Sequence, residues 1–234
     1  MRISIIIPAY NEAEHIAGTV EHLKSVGLGA DLEVIVCDAG STDDTCSIAA
    51  AEGAAVHFSP VKGRAGQMNH GAKQSSGDVL YFVHADTRPP SSFPKIIKKA
   101  ITAGHDHGSF RTCFGYGPLI LRINAWFTRF DKPFFRGGDQ SIWVTRELFE
   151  HSGGYKEEML IMEEYDLLDR LRELGNFHLA PEATLISARK YADNSWLRVQ
   201  LANLKVVRMY RQGASQEVML RTYRTMLNYR KNAF

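Results

Sequence analysis

Over its first hundred residues the chain alternates short apolar runs with stretches of helical period. Ile3–Ile7 is apolar except for Ser4 and rich in β-branched residues, the pattern of a strand buried on both faces. Asn11 stands at the start of a helical stretch with Glu14 three residues on, as in a capping box, and Ile16, Val20 and Leu23 give that helix one apolar side. Val34–Cys37 predicts a second strand and Thr45–Ala51 a second helix, followed by a strand at Ala54–Phe58 and a helix at Arg64–Gln74. Val79–Val83 predicts the fourth strand, and Phe93, Ile96, Ile97, Ala100 and Ile101 line one side of the next helix.

This β-α-β-α alternation implies an α/β fold with a mostly parallel sheet and helices on both faces. Open sheets of this kind bind ligands beyond the carboxyl ends of their strands. Three such ends are polar here: Pro8 to Glu12, Asp38 to Asp43, and His84 to Thr87. Further on, His107–Phe114 predicts a strand, Leu119–Phe130 a helix, and Ser141–Thr145 a strand leading into a helix. Glu163–Leu174 is amphipathic, with Leu167, Leu168, Leu171 and Leu174 expected inside and Glu163, Glu164 and Asp166 in the first turn. Past Arg189 two helical patterns follow, one carrying Leu197, Leu201, Leu204 and Val207, the other Val218, Met219, Tyr223 and Met226, with Gly213 between them. The division expected is a body of residues 1–190 and a helical extension of residues 191–234.

Charge adds one feature to this picture. From Arg189 onward the chain carries +8, while the remainder carries −6, although the whole is only +2. A basic tail on an acidic body fits an anionic partner or surface, or else a solvated helix face. Cys37, Cys46 and Cys113 have neither metal-site spacing nor an even count for a disulfide framework, so buried thiols in a reducing cytoplasm are expected. No segment reaches the ~20 apolar residues of a membrane-spanning helix. The expectation is therefore a cytoplasmic protein, peripheral at most to the inner face of a membrane.

Asp38 directly follows a strand, where a carboxylate can accept bonds from a base or ribose, and Gly40 allows close backbone approach beside Ser41; the same residues can equally order a turn. Asp43 or Thr42 suits a helix cap. His84 and Asp86 can jointly hold a divalent cation, or form a solvated turn. Glu163 and Glu164 suit a helix N-terminus, but neighbours on a helix do not share a face, so one can enter a cleft as general base while the other braces it. Arg64 and Asn69 lie among Gly63, Gly66 and Gly71, and an arginine there can grip phosphate. Neither a Walker A stretch nor a GxGxxG after the first strand is present, which removes the main support for a P-loop or dinucleotide site. The trio His105, Asp106 and His107 is expected in a solvated loop, and the aromatic Trp126–Phe135 stretch in the core instead of on a nucleic-acid-binding surface.

Taken in order, the motifs Ser4-Ile-Ile-Ile-Pro-Ala-Tyr-Asn-Glu12, Val36-Cys-Asp-Ala-Gly-Ser-Thr-Asp-Asp-Thr45, Gly63-Arg-Ala-Gly-Gln-Met-Asn69, Val83-His-Ala-Asp-Thr87, Gly137-Gly-Asp-Gln140, Gly153-Gly-Tyr-Lys156 and Met162-Glu-Glu164 resemble those of the family 2 glycosyltransferases with the GT-A fold. The His-Ala-Asp-Thr variant is similar to a short bacterial subgroup. The resemblance implies a Rossmann-like mixed sheet with a helical appendage, and inverting transfer of a sugar from a nucleoside diphosphate to an acceptor. Pro8, Tyr10, Glu12 and Asp38 would hold the nucleoside, with Asp38 on the base and Glu12 toward the ribose. Asp86 matches the last residue of the family's Asp-x-Asp and would bind Mn²⁺ or Mg²⁺ through the diphosphate, with His84 where the first aspartate usually stands. Glu164 would be the general base, Asp139 and Gln140 would line the acceptor side, and Arg189 would touch phosphate. The absence of a Gln-x-x-Arg-Trp motif argues against a processive synthase. Two other functions suit parts of the pattern: a nucleotide-sugar-binding module without turnover, which His84 in place of aspartate favours, and a sugar nucleotidyltransferase, whose Gly-rich basic loop is missing.

Overall fold

A computed structural model describes residues 1–26, 29–132 and 141–227. Its centre is a seven-stranded sheet in the order β3-β2-β1-β4-β6-β5-β7. The strands are β1 (Ile3–Ala9), β2 (Leu32–Asp38), β3 (Ala55–Phe58), β4 (Val79–Phe82), β5 (His107–Phe114), β6 (Ile142–Thr145) and β7 (Phe177–Ile186). Only β6 is reversed, pairing antiparallel with β4 and β5, so the other strands end on one side of the molecule. The helices are α1 (Ala13–Val26), α2 (Thr45–Ala51), α3 (Arg64–Gln74), α4 (Phe93–Thr102), α5 (Leu119–Phe127), α6 (Arg146–His151), α7 (Glu163–Leu174), α8 (Trp196–Arg211) and α9 (Gln216–Met226). The expected mixed, mostly parallel α/β sheet is what forms.

Every residue of β1 is buried, as its continuous apolar run requires. Ser4 is tolerated there because its hydroxyl bonds the Glu33 carboxylate and accepts Gly77 N at 2.8 Å. One core layer gathers Ile5, Ile7, Ile16, Val20, Tyr81, Phe93 and Trp143, and the other gathers Ile6, Met68, Leu80, Phe82, Phe149, Leu167 and Leu171. A third cluster joins Val199, Ala202 and Val206 of α8 and Met219 and Tyr223 of α9 to Met159, Ile161 and Met162, the residues leading into α7.

Five local expectations change. Asn11 does not cap α1: its Oδ1 accepts Thr42 N at 2.8 Å, while Asp43 takes Ala13 N at 3.2 Å and Thr45 N at 3.0 Å, serving both α1 and α2. His107 is no loop residue but the fully buried first residue of β5. Among the cysteines only Cys37 is buried, while Cys46 and Cys113 are partly exposed. Trp126, Phe127 and Phe130 are exposed, as are Leu174, Leu197, Leu201 and Leu204. In α8 the buried side is instead the small-residue face of Val199, Ala202 and Val206, which lets the helix approach closely.

Candidate active site

The carboxyl ends of β1, β2 and β4 converge on one cleft, with α3, α7 and the turn after β7 as its walls. Under its floor Gln67, fully buried, donates from Nε2 to Ala9 O and Cys37 O, each at 2.7 Å. That amide ties together the ends of β1 and β2, with Pro8 in β1 paired to Cys37 and Tyr10 partly exposed just beyond. Asp38, the last residue of β2, is fully buried. Its Oδ2 accepts Gly40 N at 2.7 Å and Ser41 N at 2.8 Å, and its Oδ1 takes the Ser41 hydroxyl, so the carboxylate orders its own loop. Gly40 stands at φ 92°, where a side chain would be strained. Ser41 Oγ in turn accepts Asn11 N at 2.9 Å, and Thr45 Oγ1 accepts Glu12 N at 2.8 Å, stitching the loop after β1 to the loop after β2.

Beyond β4, His84 Nε2 lies 2.8 Å from Glu164 Oε1. Glu163, beside it, pairs with Arg64 Nη2 at 2.7 Å. Both glutamates are buried, and their neighbouring places on α7 send them to different partners. The backbone makes this possible at Met162, which adopts φ 68° just ahead of the helix, a left-handed conformation that costs a non-glycine residue on the order of 1–3 kcal/mol. Burial raises the Glu164 carboxyl above the ordinary glutamate range, opposed by the neighbouring His84 and Arg64. Asp166, the third acid of that turn, braces the helix: it takes Lys156 Nζ at 2.7 Å and Arg170 Nε at 2.8 Å. Asn69 is a brace as well, exchanging bonds of 2.8 and 2.9 Å with the backbone of Tyr155.

Arg189 closes the cleft from the turn after β7. Its Nη1 and Nη2 donate to the two oxygens of Glu12 at 2.8 and 2.7 Å, and its Nε sits 3.0 Å from Asp86 Oδ2. Sequence spacing places these three far apart; the fold brings them to one point. A guanidinium between Glu12 and Asp86 shows that the pair accommodates positive charge. Among the described residues no cluster of three or more His, Cys, Asp or Glu forms a cation cage. A lone carboxylate such as Asp86 could hold a divalent cation only with oxygens from a ligand, the mode in which Mg²⁺ usually meets one or two carboxylates. His84 Nε2 is engaged by Glu164. Asp139 and Gln140 lie outside the described residues.

Two residues of this cleft escaped sequence reasoning. Gln67 lay within the glycine-flanked helix segment and carried a signal only as an amide on that helix's buried side. Met162 stands in the Met162-Glu-Glu164 motif, but nothing there marks its left-handed backbone, which has no sequence signature in a methionine.

The model of glycosyl transferase family 2 matches residues 4–161, more than half of the chain. The chain belongs to glycosyl transferase family 2. Within the family, a dolichol-phosphate mannosyltransferase of Pyrococcus furiosus is 32% identical over 112 residues, covering 45% of this chain and 32% of that protein. A glucosyl-3-phosphoglycerate synthase of Mycolicibacterium smegmatis is 31% identical over 115 residues, covering 45% of this chain and 38% of the relative. The matched stretch thus spans well under two thirds of these relatives. The mannosyltransferase PcManGT from Pyrobaculum calidifontis, solved with GDP-Man and Mn²⁺, superposes with a TM-score of 0.68 at 20% identity, covering 96% of this chain and 69% of that one. Glucosyl-3-phosphoglycerate synthase from Mycobacterium tuberculosis, solved with Mn²⁺, UDP and glucosyl-3-phosphoglycerate, superposes with a TM-score of 0.61 at 21% identity over 91% of this chain and 80% of its own. The fold is accordingly that of the GT-A glycosyltransferases.

Proposed function

We propose that this family 2 member is an inverting, cation-dependent glycosyltransferase that moves a sugar from a nucleoside diphosphate to an acceptor hydroxyl. The observation that carries the reading is the 2.8 Å contact of His84 with Glu164, which sets a buried carboxylate beside the strand end that bears Asp86. Relatives named for mannosyl and glucosyl transfer support the same reaction class.

The nucleoside would lie over the loops ordered by Asp38 and Asn11, against Pro8 and Tyr10, with Glu12 at the ribose. Arg189, which holds Glu12 and Asp86, is placed to turn its guanidinium onto the diphosphate, where planar bidentate contact is favourable. Asp86 would hold Mn²⁺ or Mg²⁺, which would supply positive charge to offset that of the departing diphosphate. Glu164 takes the proton of the acceptor hydroxyl, whose oxygen bonds to the anomeric carbon as the bond to the diphosphate breaks on the opposite face. Desolvation raises the basicity of Glu164 and suits it to that task. Glu163 holds Arg64 at the cleft wall. Asp139 and Gln140 are assigned to the acceptor side.

Among the described residues no helix is long and apolar enough to cross a membrane. The basic C-terminal helices suit peripheral docking on an anionic, cytoplasmic membrane face; a homodimer through the same helices is the competing outcome, which sedimentation separates.

The test is a thermal-shift panel of nucleotide sugars with and without Mn²⁺, followed by turnover assays. Asp86→Ala is expected to abolish the Mn²⁺-dependent part of the donor shift. A donor that binds tightly and is never turned over in any acceptor screen identifies a binding module instead. Pyrophosphate release from a nucleoside triphosphate and a sugar phosphate identifies a nucleotidyltransferase.

A further inference from the structure

α5 turns its apolar side away from the protein. Leu119, Ile123 and Trp126 are 66%, 47% and 46% exposed. The opposite side, Leu121, Ala125 and Thr128, is buried. Arg122 and Arg129 run along one flank of the stripe, with the Arg129 guanidinium 4.3 Å over the Trp126 ring. α8 repeats the arrangement: Leu197, Leu201 and Leu204 are 60%, 50% and 47% exposed, and Arg198, Lys205, Arg208 and Arg211 are exposed among them. Neither residues 119–130 nor α8 contains an acidic residue.

The topology makes both helices start from one corner of the sheet. α5 follows β5 and α8 follows β7, which are paired in parallel so that Phe114 meets Ile186 at their carboxyl ends. The Phe114 ring contacts Tyr191 at 5.8 Å, in the same turn as Arg189. The apolar face therefore lies at the same end of the sheet as the cleft.

We infer that α5 is an interfacial helix that seats its Leu119–Ile123–Trp126 face in the headgroup layer of an anionic bilayer. Charge decides the occupant. A stripe of leucine, isoleucine and tryptophan lined by arginine and lysine, with no acid within α5 or α8, matches an anionic lipid surface. A second copy of this chain would set those cations against each other. The inference rests on the proposed docking of the basic C-terminal helices and adds to it the α5 contact and its depth.

The experiment uses the full chain with vesicles of phosphatidylglycerol and phosphatidylcholine carrying brominated acyl chains, and with phosphatidylcholine alone. Expected are co-sedimentation with the anionic vesicles only, quenching of tryptophan emission by the brominated chains, and a clear fall in that quenching in Trp126→Phe, to what Trp196 at the start of α8 retains. Ile123→Glu, at an exposed site that leaves the melting curve unchanged, is expected to weaken partitioning roughly tenfold. Binding without quenching and insensitive to Ile123→Glu, yet lost in Arg198→Gln/Lys205→Gln/Arg208→Gln, overturns the α5 inference and leaves the tail docking standing. Absence of binding to either vesicle overturns both. A dimer in sedimentation that Ile123→Glu dissociates, with no vesicle binding, reassigns the face to a second copy.

Discussion

Glu164 is a carboxylate withdrawn from water at the first turn of a helix and held on one oxygen by His84. Replacing it by glutamine keeps the volume and removes the basic oxygen. Glu164→Gln is therefore expected to leave the nucleotide-sugar thermal shift intact while transfer falls by about 10²–10⁴-fold. Normal turnover in that variant removes Glu164 from the mechanism. His107 supplies a pH dependence of stability far from the cleft. Burial depresses its pKa to about 4 from 6.5, so the folded chain refuses a proton that the unfolded chain accepts. The stability it contributes is complete above pH 6.5 and is lost as pH falls toward 4, by about 3 kcal/mol in all. Urea unfolding across that window reads the slope, and His107→Phe is expected to flatten it. At this scale the sequence showed the acids well, since Asp38, Asp86 and Glu164 each stand at the edge of a recognisable element. It did not show their partners. The grip of Arg189 on Glu12 joins residues from opposite ends of the chain.

The elements were legible where one period prevailed. β1, β2 and β4 read as continuous apolar runs and form the buried strands beneath the cleft. A stripe of apolar residues, however, tells that a helix has a face and not which way it turns. In α8 the leucines were the stronger pattern, yet Ala202 between Val199 and Val206 gives the closer fit to Met159, Ile161 and Met162, and packing chose it. The reversal of β6 was equally hidden, because strand direction follows from pairing and not from composition. Between elements the decisive link is Gln67, whose amide bridges β1 and β2. Gln67→Leu keeps the shape and removes both bonds. It is expected to cost about 1–3 kcal/mol in chemical denaturation and to weaken donor binding more than acceptor binding, since the loops it underlies are those assigned to the nucleoside.

At the scale of the whole molecule, α8 and α9 share a core with the residues that lead into α7. Val206 is buried in that core, so Val206→Asp places an unpaired carboxylate among Met159, Met162 and Tyr223. A loss of roughly 3 kcal/mol or more is expected by thermal melting. The strained turn at Met162, which aims Glu164, loses its support at the same time. The C-terminal helices thus serve as a keystone for the chemistry proposed at Glu164. Mild denaturant should silence sugar transfer while the sheet's circular dichroism still reports an intact body, and a shortened chain should keep its hold on nucleotide long after it has stopped turning over.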